Sequence, residues 1–94
     1  MRICDAIKNM QTLSFTYNGY RRVVEPHTYG TDTKGHEALR AYQTSGSSES
    51  GELGWKLFHV GDIRGLSVLE ATFPKPRPGY KRGDKGFSSI RCQL

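Results

Sequence analysis

The hydrophobic positions change period within the first 24 residues. Ile3, Ala6, Ile7 and Met10 fall at i, i+3, i+4 and i+7, opposite Asp5, Lys8, Asn9 and Gln11, which predicts a short amphipathic helix over 2–11. Leu13-Ser-Phe-Thr-Tyr17 and Tyr20-Arg-Arg-Val-Val24 then alternate around Asn18-Gly19, the strongest short hairpin signal. If Tyr17 faces Tyr20, Phe15 pairs with Arg22 and Leu13 with Val24, and all six share one face. Arg21 falls on the other face with Ser14 and Thr16. Pro26 cannot donate to a ladder, so the second strand must bend, bulge or run along an edge there.

Further strands are predicted at Ala38–Gln43, Trp55–Val60 and Leu66–Leu69, with a tight turn at Gly61–Gly65 between the last two. In the first of these, Leu39 and Ala41 take one side and Ala38, Arg40 and Tyr42 the other. The Thr44–Glu52 stretch reads as a Gly/Ser loop with too little apolar content to pack. One helix and five short strands point to a mainly β protein, a small five-stranded antiparallel barrel over residues 1–73. Pro74, Pro76 and Pro78 alternate with Lys75 and Arg77, which excludes helix and predicts an extended arm over 74–94. Phe87–Leu94 could add a last edge strand, with Ile90 and Cys92 on one face.

The chain has 94 residues and a net charge of +5, enough for one small core rather than a deep cleft. Charge changes the picture through its placement. Residues 1–71 hold eight bases against eight acids, whereas 72–94 hold Lys75, Arg77, Lys81, Arg82, Lys85 and Arg91 against Asp84 alone. A basic segment carrying Phe73, Tyr80 and Phe87 suits a polyanion, since cations release counterions and rings stack on bases. The plainer alternative is a solubilising tail. No apolar run is long enough to span a membrane and no signal-peptide core is present, so a cytoplasmic protein is expected. Cys4 and Cys92, without a CxxC motif or a histidine at ligand spacing, are expected to be two reduced thiols.

Catalytic motifs are missing. Gly79-Tyr-Lys-Arg-Gly83-Asp-Lys-Gly86 lacks the spacing and the Gly-Lys-Ser/Thr of a phosphate loop. His27, His36 and His59 lie on separate elements without a paired spacing, so each reads as a surface or packing residue, and neither metal nor cofactor is expected. No nucleophile stands with an oriented base, so the chain reads as non-enzymatic. A binding face is better supported. Arg22 beside Phe15, Tyr17 and Tyr20 could hold a phosphate while bases stack, or could lay its stem on apolar surface with its head in water. Arg40 with Tyr42, and Lys56 near His59, repeat the mixture of basic and aromatic residues.

Ala6-Ile7, Leu13-Ser-Phe-Thr-Tyr17, Arg22-Val-Val-Glu-Pro-His27, Leu39-Arg-Ala-Tyr42 and Lys56-Leu-Phe58 with Ile63 and Leu66 resemble the WYL domain of bacterial transcription regulators. The resemblance covers about residues 3–73. It implies an Sm-like or SH3-like barrel preceded by a helix, and a ligand-sensing role with nucleotide or single-stranded nucleic acid bound by an aromatic and several arginines. Arg22 matches the family's arginine four residues before the proline, and Lys56 a basic residue before the x-Phe. The namesake Trp-Tyr-Leu is here Glu37-Ala38-Leu39, and Asp62 stands where the family often has arginine. No helix-turn-helix precedes the domain, so a free-standing regulatory module is expected. The candidate ligand residues are Arg22, Arg40, Tyr42, Lys56, Tyr17 and His27, joined by the basic arm at Lys75, Arg77, Lys81, Arg82 and Lys85. The alternative class is a protein-interaction module, with Phe87–Leu94 or an exposed strand edge pairing with a regulatory protein or a second copy.

Overall fold

The computed structural model describes residues 2–94. The amphipathic stripe forms helix α1 (Arg2–Lys8), which buries Ile3, Ala6 and Ile7. Six strands follow: β1 (Gln11–Tyr17), β2 (Tyr20–Asp32), β3 (Glu37–Gly46), β4 (Gly54–His59), β5 (Arg64–Thr72) and β6 (Phe87–Gln93), with a 3-10 turn at Val60–Asp62 between β4 and β5. All the pairings are antiparallel.

The hairpin has the register expected from its turn, with Tyr17 opposite Tyr20, Phe15 opposite Arg22 and Leu13 opposite Val24. Asn18 and Gly19 have φ of 52° and 79°, the left-handed pair that matches a hairpin turn to the strand twist. Pro26 does interrupt its strand, because the β2–β3 register shifts between Pro26 and Thr28. That irregularity lets the 13-residue β2 serve three neighbours: β1 along its first half, β6 along its second and β3 along most of its length. Where β6 crosses, a Cβ on Gly30 would lie 2.1 Å from the Ser89 carbonyl oxygen, so only glycine permits this approach.

Strand order is β4-β3-β2-β1-β5, with β6 joined to β2 off that path. No ladder joins β5 to β4 among the described residues, so the sheet is open rather than closed. The 3-10 turn and Ile63 are nevertheless all that lies between these two edges along the chain. A span so short holds the edges near each other at that end, and the sheet curls around one core. Leu13, Phe15, Val24, Tyr29, Leu39, Ala41 and Phe58 fill it from the concave side together with Ile3, Ala6 and Ile7 of the helix. Phe58 meets Phe15 and Tyr17 edge-on, each with ring centroids 5.0 Å apart, the arrangement that aromatic quadrupoles favour.

Two expectations change here. Cys4 and Cys92 are joined in a disulfide that ties α1 to β6, which corrects the reading of two reduced thiols. The Thr44–Glu52 stretch is more than an unpacked linker: the Ser47 N–H donates to the Arg21 carbonyl at 3.0 Å, and Ser48 is buried. No helix among the described residues is long and apolar enough to cross a membrane.

Candidate functional site

The candidate residues separate onto two sides of the sheet. Arg22, Tyr17 and Lys56 belong to the core side or its rim. Arg22 is 2% exposed. Its guanidinium donates to Gln43 Oε1 at 3.2 Å, to the Tyr17 carbonyl at 3.1 Å and to the Glu49 carboxylate at 3.3 Å, and lies over the rings of Tyr17, Tyr20 and Phe58. It therefore points with the aromatics as the register predicts, but Nη1 and Nη2 are engaged by its own chain, while the buried Nε has no hydrogen-bond partner among the described residues. The carboxylate that meets it comes from the Gly/Ser loop expected to be too polar to pack. Lys56 pairs with Ala41 in the ladder and donates to Ser50 Oγ at 3.3 Å. The Tyr17 hydroxyl accepts the His59 N–H at 3.1 Å.

Arg40, Tyr42 and His27 lie on the opposite side, under the basic arm. Alternation along β3 places Arg40 and Tyr42 together, and pairing with β4 sets Trp55 against Tyr42, their rings edge-on with centroids 5.4 Å apart. The arm is a strap rather than a loose tail. Buried Phe73 begins it, and the Phe73 N–H donates to the Met10 carbonyl at 3.0 Å. Arg77 follows, forked onto the Glu25 carboxylate at 2.6 and 3.1 Å, with its guanidinium over the Tyr42 ring at 4.7 Å. This hydrogen-bonded pair raises the Arg77 pKa further. The Trp55 indole donates to the Pro78 carbonyl at 3.0 Å. Gly79 comes next with φ of 90°, and a Cβ there would meet the indole nitrogen at 3.1 Å, so glycine lets the strap lie flat on the ring.

His27 sits where strap and sheet meet. It is fully buried, and its ring contacts Trp55, Phe73 and Tyr80 at centroid distances of 4.7, 5.4 and 5.2 Å. The Arg77 N–H donates to Nε2 at 3.1 Å, and Nδ1 lies 2.8 Å from the Glu25 carbonyl. Nε2 must accept and Nδ1 must donate, which assigns the neutral Nδ1–H tautomer. Burial is the main cause that lowers its pKa, and the Arg77 charge adds to this against the opposing pull of Glu25. His27 thus has both nitrogens occupied as a packing residue.

Beyond Gly79 the strap stands off the sheet and leaves a cavity of about 500 Å³. Trp55 and Tyr80 line it as rings, and Lys81, Arg82 and Lys85 as exposed cations. Arg40 lines it too, but its guanidinium is held by Asp84, with Nε 2.8 Å from Oδ2. Partial burial opposes ionisation of Asp84, yet the hydrogen bonds from Arg40 and the Gly86 N–H, with the Arg40 charge, hold its pKa below the ordinary carboxylate range. This ion pair fixes the outer wall. Arg82 also donates to the Leu94 main-chain oxygen at 2.7 Å, and the Tyr80 hydroxyl to the same oxygen at 2.6 Å. The cavity is within the size range of small-molecule sites.

Of the expected residues, the cavity gathers Arg40, Lys81, Arg82 and Lys85 but neither Tyr42 nor Lys56. Tyr80, one of the rings noted in the basic arm, joins it, as does Trp55, which was not singled out as a ligand residue. A tryptophan on an edge strand and a tyrosine in the arm were the available signals, and only the strap's return path connects them. His36 and His59, read as separate surface residues, come together beside Asp32. No family model matches the chain, nor does any curated protein or solved structure.

Proposed function

We propose that the cavity beneath the strap binds a phosphate-bearing aromatic ligand, a nucleotide or a segment of single-stranded nucleic acid, and that the protein is a non-enzymatic ligand-sensing or regulatory module. One observation carries this reading: Trp55 and Tyr80 share an open cavity of about 500 Å³ with Lys81, Arg82 and Lys85. Rings supply stacking surface for a base and the cations supply charge for phosphate. The WYL-domain resemblance points to the same ligand class. The helix and the curled sheet with its two edges brought near by a 3-10 turn support an Sm-like or SH3-like barrel as the underlying fold.

Trp55 is the single tryptophan, so its fluorescence reports on the cavity directly. Titration with nucleotides and short single strands across a salt series should quench it, and three cations meeting three phosphates would give a slope of log K on log salt of about -2. Lys81→Ala and Lys85→Ala should each flatten that slope by about 0.7. No quenching by any of these ligands at physiological salt would refute the reading, as would a slope that neither variant alters.

A second reading rests on the sheet edges. Phe87–Leu94, considered above as a strand for a partner, is largely taken up as β6 against β2 of its own chain. Strand addition would instead use β5, which pairs only with β1 and carries the half-buried Leu66, Val68 and Leu69 along an open edge. Sedimentation of the full chain separates the two, since a stable dimer would support edge pairing.

A further inference from the structure

At the end of β4 opposite Trp55, three potential metal ligands converge from different parts of the chain. Asp32 closes β2, His36 lies in the following turn and His59 ends β4. Asp32 Oδ2 is 3.5 Å from His36 Nδ1 and 3.5 Å from His59 Nε2, and all three donor atoms lie within 4.8 Å of one another. The imidazoles are stacked, with centroids 4.5 Å apart. Asp32 is itself buried at 5% exposure, while the histidine side chains are 52% and 42% exposed.

The two oxygens of Asp32 do different work. Oδ1 accepts the N–H groups of Lys34 and His36 at 2.9 and 2.8 Å, which fixes the carboxylate and shapes the turn that carries His36. Oδ2 is thereby directed between the two rings. On the other strand, the His59 N–H donates to the Tyr17 hydroxyl, which anchors the backbone from which the second imidazole extends. Supporting hydrogen bonds of this kind orient metal ligands and sharpen their affinity.

We propose that Asp32, His36 and His59 form a binding site for a divalent transition-metal ion, with Zn²⁺ the best-suited candidate. Bonds of about 2.1 Å from nitrogen and oxygen to a tetrahedral ion place neighbouring donors about 3.4 Å apart. Both carboxylate–imidazole separations already have that spacing, and the stacked, exposed rings must turn so that their donor nitrogens converge on the ion. A divalent cation there gives the buried carboxylate a counter-ion. Two imidazoles and one carboxylate favour zinc, cobalt or nickel over the oxygen-seeking magnesium and calcium. Three protein ligands leave a fourth position for water or an incoming donor atom. The bound ion would also clamp the β2–β3 turn to the end of β4.

The test is calorimetric titration of the full, disulfide-bonded chain with Zn²⁺, in a buffer that does not chelate it. The expected result is one ion per chain, binding weakened at least tenfold by His36→Ala and by His59→Ala, and no displacement by excess Mg²⁺. Asp32→Asn keeps an oxygen for the turn and should also weaken binding at least tenfold, with circular dichroism checking that each variant folds. No saturable binding would overturn the site. So would binding indifferent to either histidine, a stoichiometry other than one, or displacement by Mg²⁺. If a histidine variant fails to fold, the imidazole resonances of the unaltered chain decide instead: both His36 and His59 must shift on adding one equivalent of Zn²⁺, and a shift of only one refutes the three-ligand site.

Discussion

Breaking the Cys4–Cys92 bond should cost the fold much of its stability. The two cysteines are 88 positions apart, so the bond closes nearly the whole chain into one loop in the unfolded state. In the chain-entropy picture a loop of this length corresponds to about 4.6 kcal/mol at 25 °C. A 94-residue domain typically has about 5–14 kcal/mol in all, so reduction removes between a third and nearly all of it. The effect should be most visible at α1, because seven residues are too few to hold a helix without packing. Urea unfolding followed by far-ultraviolet circular dichroism, with and without reductant, measures the loss. With a slope of about 2 kcal/mol per molar urea, the midpoint should fall by about 2 M. Cys4→Ser with Cys92→Ser should reproduce the reduced form. A shift below about 0.5 M, with thiol titration confirming complete reduction, would refute the entropic argument. Two free thiols in protein purified without reductant would refute the bond itself.

Further perturbations separate roles that the sequence had left joined. Arg22→Ala should destabilise by about 2–3 kcal/mol through lost packing and stranded acceptors, whereas Arg21→Ala, on the exposed face, should stay within about 0.5 kcal/mol. Equal urea midpoints for the two variants would count against the enclosed position of Arg22. Because burial lowers the His27 pKa below its ordinary 6.5, the unfolded chain takes up the proton first as pH falls. Stability from this group is therefore complete above pH 6.5 and declines below it, by at most about 1.4 kcal/mol per pH unit. His27→Gln should lack that decline between pH 6.5 and 5, and an unchanged pH profile in the variant would show that another group is responsible.

Much of the first half of the fold was legible because its signals are local. The spacing of Ile3, Ala6 and Ile7 and the Asn18-Gly19 turn act within a few residues, and both the helix and the hairpin register follow from them. The bulge after Pro26 was legible for the same reason, since proline has no N–H to offer the ladder. Arg22 shows where this reasoning stops. Its face followed from alternation, but whether that face is open or enclosed depends on Glu49 and Gln43, 27 and 21 positions away. The strap was harder still, because alternating prolines specify extension but not the surface on which the chain lies down. Glu25 and Arg77 find each other across 52 residues, and nothing in the spacing of either announces it. Asp32, His36 and His59 were missed for the same reason: the ends of β2 and β4 become neighbours only once β3 lies between them.

The docking of α1 against β6 also sets an order in time. Cys4 and Cys92 have Cα atoms 5.7 Å apart, so α1 packs beside a strand that the ribosome delivers much later. The β1–β2 hairpin needs only adjacent residues and can form as soon as it emerges. Helix α1 can rest on β1 and β2 once they form, but its contact with β6 has to wait until that strand has been delivered. Long-range closure of this kind slows folding and prolongs the exposure of sticky surface. Synthesis interrupted before β6 would leave a nascent chain whose helix lacks one of its packing partners and whose Cys4 thiol is unpaired, open to association with other unfinished chains.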